Sequence, residues 1–89
     1  MNKVVQKAHE IAVNHGTDCY YPDLEIGEIC EINDLWDGKG EEPSTQGSYA
    51  HFICEDSSGE LWINYLFEVV EKKENELDTL IKITGIDLI

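Results

Sequence analysis

A histidine and a cysteine at positions 51 and 54 form one close pair of metal-ligating side chains in the sequence, and Cys19, Cys30 and His15 are further candidate ligands. A zinc-stabilised small domain around Cys30, His51 and Cys54 is therefore one hypothesis. The spacing argues against it, because residues three apart on a strand point to opposite faces unless a bulge intervenes. We expect no metal ion and no other cofactor, and we expect Cys30 and Cys54 to be small, reduced core residues.

The stretch NDLWDGKGEE combines acidic residues with glycines, as some cation-binding and phosphate-binding loops do. Counted from Asn33, however, the third position of a calcium loop would be Leu35 and the twelfth would be Ser44, neither of which fits an EF-hand. The GKGEE segment would repel the phosphate that a glycine-rich loop should bind. The sequence therefore predicts neither a calcium site nor a phosphate site here.

Nucleophilic catalysis has little support in the sequence. There is no G-x-S-x-G motif, and the abundant carboxylates would destabilise the thiolate form of any cysteine. A chain of 89 residues also leaves little room for a substrate cleft. We predict no catalytic residues and a protein that is not an enzyme.

The charge balance limits the classes of partner. The chain has 19 acidic residues, six lysines and no arginine, for a net charge of −13. Such a chain would be repelled by nucleic acid and by anionic membranes, so we expect neither as a direct partner. It would be attracted to a basic protein surface, although solubility alone is an alternative reason for the acidity.

Trp36 stands out because it is a large aromatic residue at the start of a polar loop. An aromatic anchor inside a charged rim is typical of binding hot spots. The alternative is that Leu35 and Trp36 fold back and close one end of the core. The predicted partner-binding residues are Trp36 and nine acidic residues: Glu28, Glu31, Asp34, Asp37, Glu41, Glu42, Glu55, Asp56 and Glu60.

The elements that must position these residues are one helix and several short strands. Apolar residues recur at spacings of three and four within residues 2–16, which predicts a helix there. Residues 28–89 read as β-rich, and a tight hairpin is expected at residues 55–60, with Gly59 at positive φ. We predict a single domain of the α+β class, residues 1–89.

The expected architecture is the N-terminal helix packed on a small, strongly curved antiparallel sheet of about five strands, as in SH3-like or OB-like barrels. The strands are predicted in EICEIN, SYAHFICE, ELWINYLF, FEVVEK and DTLIKITGIDLI. One sheet face would form the core and the helix would cover the other. The segment ELWINYLFEVV resembles the strand, single turn, strand ending of SH3-like barrels. A helical turn through EVVEKKENEL is the alternative for that region.

The leading functional hypothesis is a small acidic inhibitor or regulator that docks on a basic surface of a nucleic-acid-handling protein, such as a nuclease. Phage-encoded proteins that imitate DNA to block restriction or CRISPR nucleases are the analogy. The alternative is an SH3-like adaptor that binds a protein through Trp36, Tyr49, Trp62 and Tyr65. Exposed sheet edges would also allow a homodimer. The start of the sequence lacks a signal-peptide pattern, so a cytoplasmic location is expected.

Overall fold

The computed structural model describes residues 2–14, 16, 24–36, 42–56 and 59–89. One helix precedes a four-stranded sheet, so the predicted α+β class and the N-terminal helix are confirmed. The helix and strands are α1 (Lys3–Asn14), β1 (Ile29–Glu31), β2 (Ser48–Asp56), β3 (Gly59–Glu71) and β4 (Leu80–Leu88). Two short 3₁₀ helices are η1 (Ile32–Leu35) and η2 (Glu76–Asp78).

The four strands form one antiparallel sheet in the order β1-β4-β3-β2, curled into a half-barrel. The long strand β3 pairs with β2 over residues 59–66 and with β4 over residues 63–71. Register shifts leave an extra residue at Ile53, Val70 and Thr84, one on each of these three strands. Such bulges bend a strand and increase its twist, which explains how a strand of 13 residues fits a curled sheet.

The sheet has four strands rather than the expected five, because ELWINYLF and FEVVEK form one continuous strand, β3. No glycine or proline separates the two segments. The chain bends there at bulges in the β3–β4 pairing and not at a turn. The single turn expected from the SH3-like resemblance is therefore absent from β3. The helical alternative for this region is also wrong, since the chain stays extended to Glu71 and forms only a single 3₁₀ turn, η2, before β4.

The core lies between α1 and one face of the sheet. Val5, Ala8 and Ala12 of the helix belong to the same buried cluster as Ile63 and Tyr65 of β3. The expectation that the helix would cover the face opposite the core is thus wrong. The helix has one apolar stripe, and strand alternation puts most of the buried side chains of the sheet on one face. The stripe and this face are therefore buried against each other.

The β2–β3 hairpin is confirmed, with Asp56 paired to Gly59 and a φ of 124° at Gly59. The bulge at Ile53 changes one detail of β2. His51 and Cys54 were expected on opposite faces of β2, yet both are buried in the core. The extra residue shifts the alternation, so consecutive residues of β2 face the core.

The part of the chain that the structure describes has no helix of the length and apolar character that crossing a membrane requires.

Candidate functional site

Five of the predicted binding residues, all described by the structure, fall into two groups at opposite ends of β3. Glu28, Glu31 and Asp34 lie on or beside β1 and η1, whereas Glu55 and Glu60 face each other across the β2–β3 hairpin. Through Leu80, Glu31 is level with Glu71 of β3. That position is eleven residues from Glu60 along the strand, or roughly 35 Å at the usual rise per residue. These five carboxylates therefore make two separate sites rather than one.

Glu31 of the first group lines an open groove of about 890 Å³, which we call the acidic groove. Its lining residues are Glu31, Lys73, Glu74, Asn75, Asp78 and Leu80. Three of the six carry carboxylates. The one cation, Lys73, lies 3.2 Å from a carboxylate oxygen of Glu71, so part of its charge is compensated.

Thr79 holds the two walls of the acidic groove together. This fully buried residue accepts a hydrogen bond at its backbone oxygen from the Ile32 amide, 3.0 Å away. Its hydroxyl oxygen accepts a second hydrogen bond from the Lys73 amide at 3.1 Å. The start of η1 and the loop after β3 are thereby fixed to the same buried point.

Two carboxylates of this end are oriented by the backbone next to them. The Asp34 carboxylate accepts a hydrogen bond from the Glu31 amide at 3.0 Å, which caps η1. The Glu28 carboxylate accepts one from the Glu25 amide at 2.9 Å. A carboxylate held in this way loses less side-chain entropy when it binds a cation.

Cys30 reports the electric field at this end. Burial, and then the charges of Asp34, Glu28 and Glu31, raise the pKa of its thiol from 9.0 to about 11. The half-buried side chain is therefore a neutral thiol at physiological pH, and it is a poor nucleophile there. The three carboxylates thus add to the effect of burial on the same thiol.

The second group stands beside aromatic side chains. Glu55 lies directly opposite Glu60, and the Trp62 indole nitrogen donates a hydrogen bond of 3.0 Å to the Glu60 carboxylate. The rings of Phe52 and Trp62 meet edge to face, with centroids 5.2 Å apart. Trp62 was predicted as a binding residue of the adaptor alternative. It is half-buried on the sheet face opposite α1, because it alternates along β3 with the core residue Ile63 and with Leu61, which packs against the core.

Trp36 is half-buried. Its exposure is therefore intermediate between that of an exposed binding anchor and that of a residue folded back onto the core. It follows the fully buried Leu35, and its amide donates to the Asn33 carbonyl at 3.1 Å. Glu42 is exposed further along the chain. Asp37 and Glu41 lie outside the described residues, so the predicted rim around Trp36 is described only in part. For Asp56 the backbone alone is described, paired with Gly59.

The other predicted aromatic and metal-ligating residues are mostly in the core. Tyr65 is fully buried and stacks edge to face on the buried His51, whose ring also meets half-buried Tyr49. Tyr65 is therefore not accessible to a partner. The Ile53 bulge brings His51 and Cys54 to the same side of β2, yet the described residues contain no group of three or more side chains that could hold a metal ion. His15 and Cys19 lie outside the described residues.

Phe52 is the surface residue that the predicted site omits. The signal for it was present, because the hairpin turn sets the register of β2 against β3 and thereby places Phe52 opposite Trp62. With this pair included, the structure defines a small acidic α+β protein with carboxylates at both ends of a curled sheet. Comparison of the chain with protein-family models, characterised proteins and solved structures finds no match in any of the three.

Proposed function

We propose that this chain is a non-enzymatic binding protein whose carboxylates dock on a basic surface of another protein. The partner class we infer is a nucleic-acid-handling protein, such as a nuclease, whose lysines and arginines would meet these carboxylates in place of phosphates. The protein would then act as an inhibitor or regulator of that partner, in the manner of a DNA mimic.

The observation that carries this proposal is the group of carboxylates Asp34, Glu28 and Glu31 around Cys30, beside the acidic groove, which raise the pKa of its thiol in addition to the larger effect of burial. Three carboxylates that raise the pKa of one thiol create a concentrated negative potential at that end of the sheet. A partner cation would be attracted there over a distance of about a Debye length, roughly 10 Å at moderate salt. The raised thiol pKa also argues against Cys30 as a nucleophile.

Affinity capture from the native host, followed by binding measurements on the purified partner, tests this function. We expect capture at about 50 mM salt, loss of affinity as salt increases, and displacement of the protein by duplex DNA if both occupy one site. A variant with E28Q, E31Q and D34N should bind at least about tenfold more weakly. A captured partner without a basic surface, bound equally well by the variant, would refute the proposal.

The kinship with SH3-like or OB-like barrels also stays a proposal. It is supported by the β2-β3-β4 meander and by the long strand β3, whose two halves pair with different neighbours. An experimental structure in which residues 37–41 or 17–23 close the half-barrel would support it. We further propose a cytoplasmic location, because reduced cysteines without a disulfide spacing suit that compartment.

A further inference from the structure

The sheet face opposite α1, which we call the outer face, exposes apolar side chains. Phe52 is 42% exposed and Leu66 is 38% exposed, and both are large hydrophobic residues. Ile89 exchanges two backbone hydrogen bonds of 2.9 Å with Trp62, so the two residues lie side by side. Phe52, Trp62 and Ile89 thus form one row across the end of the sheet, the aromatic row.

Carboxylates flank the aromatic row on both sides. Glu55 and Glu60 form the next row toward the hairpin, and Asp87 belongs to the next row in the other direction, paired with Asn64. Successive rows on one face are about 7 Å apart. Lys82 is the one basic residue among the described strand residues of this face. It lies farther from the hairpin, in a row with Glu68 and Ile29.

The Glu55–Glu60 pair is a specific charge feature of this face. Like charges directly opposite each other on neighbouring strands destabilise a hairpin, so this arrangement is unfavourable in the isolated chain. The bond from the Trp62 indole keeps the Glu60 carboxylate next to the ring. A cation between the two carboxylates would relieve the repulsion and would also contact the aromatic edge and face.

We propose that the aromatic row and the Glu55–Glu60 pair bind an arginine side chain, with an adjoining aliphatic residue, on a partner protein. Charge complementarity selects a cationic occupant, and the planar guanidinium suits both two carboxylates and an aromatic ring better than an ammonium does. The chain itself contains no arginine, so a second copy cannot supply this group. The inference deepens the binding function proposed above and rests on it.

Titration of the ¹⁵N-labelled full chain with short peptides tests the site. The probes are acetyl-Gly-Leu-Arg-Gly-Leu-Arg-Gly-amide and the matched peptides with lysine or with neutral citrulline in place of arginine. We expect the arginine peptide to shift the Trp62 indole resonance and the amides of β2 and β3. The lysine peptide should bind about threefold more weakly, and the citrulline peptide should not bind measurably.

Paired variants separate a local site from the overall charge. E55Q/E60Q and E74Q/D78N each remove two negative charges, at opposite ends of β3. We expect roughly tenfold weaker binding of the arginine peptide for the first pair and less than about twofold for the second. F52A should weaken binding about threefold, whereas L66A, on the same face but outside the aromatic row, should not. The amide spectrum of each variant verifies its fold.

Three results would contradict the proposed arginine site. The first is a set of chemical-shift changes centred on the acidic groove. The second is an equal loss of peptide affinity in the two double variants, and the third is binding of the citrulline peptide as strong as that of the arginine peptide. Equal weakening by the two pairs would leave the electrostatic binding function intact, because it would mean that charge acts without a local site. Two results together would support the arginine site independently of the native partner. Only E55Q/E60Q should weaken binding of the peptide, and the chemical-shift changes should centre on the Trp62 indole resonance.

Discussion

Burial and neighbouring negative charges together set the chemistry of single residues in this protein. Cys30 is the clearest case, since burial and then Asp34, Glu28 and Glu31 all disfavour its thiolate. Glu55 and Glu60 face each other in the same way at the other end of β3. Like charges held together on a surface cost stability, so their presence is easier to understand if an external cation meets them.

Cys30 should be slow to react with iodoacetamide. At pH 8, the pKa of about 11 leaves far less thiolate than an ordinary cysteine has. Allowing for the higher nucleophilicity of a more basic thiolate, we expect alkylation roughly tenfold to a hundredfold slower than in the denatured chain. D34N should accelerate the native reaction by about twofold, because burial remains the larger cause of the shift. Peptide mass spectrometry distinguishes Cys30 from the other cysteines, and equal rates in native and denatured protein would contradict this environment.

At the residue scale, the sequence predicted chemical character better than position. The destabilised thiolate and the small core cysteine at position 54 follow from composition and size. The accessible aromatic residues were harder to predict, because Tyr65 and Trp62 differ by an odd number of positions and so lie on opposite faces. Tertiary packing decides which of these faces the helix covers, and neither residue type indicates it.

The secondary-structure elements are joined by bends whose cost depends on backbone conformation. Gly59 has a φ of 124° with no atom near its missing side chain, whereas the backbone of Gly85 lies outside the positive-φ region. We expect G59A to lower the free energy of unfolding by roughly 1–3 kcal/mol through backbone strain alone. G85A should change it by less than about 1 kcal/mol, because the new methyl group meets the end of the flexible, exposed Leu66 side chain at 3.1 Å.

Urea unfolding of the two glycine variants measures this difference. If G85A lowered the free energy of unfolding as much as G59A does, the outer face would be more tightly packed around Leu66 than the exposure of Leu66 indicates.

The short helix α1 depends on docking rather than on its own propensity. Val5 is fully buried against the sheet, whereas Val13 on the same helix is 60% exposed. V5A should destabilise the protein by about 1.5–3 kcal/mol, and V13A by less than about 0.5 kcal/mol. Thermal or urea unfolding compares two identical substitutions in one helix, and equal effects would contradict the packing of α1 described here.

Element types were predictable from periodicity, but the number of strands was not. The helix, the hairpin and the strands around residues 48–56 and 80–88 follow from apolar spacing and turn residues. The continuity of β3 depends on bulges at Val70 and Thr84, which have no turn-like sequence signal. A bulge forms where paired strands must bend together, so it depends on the partner strand as much as on the bulged residue.

At the scale of the whole molecule, a net charge of −13 on 89 residues should make the folded state sensitive to salt. Salt screens the repulsion among carboxylates that folding brings together. We expect the Tm to rise by about 2–5 °C when NaCl is increased from near zero to about 0.5 M. The variant with E28Q, E31Q and D34N should show a smaller rise, and a Tm that is independent of salt would show that the carboxylates do not repel each other appreciably.

The most direct test of the binding function is the salt dependence of Kd for the partner captured from the host. Carboxylates that replace phosphates on a basic surface should lose at least about tenfold in affinity between roughly 50 mM and 0.5 M NaCl. The loss should be smaller for the variant with E28Q, E31Q and D34N, which has fewer charges to screen. A Kd that stays constant across this range for the wild-type chain would contradict the account.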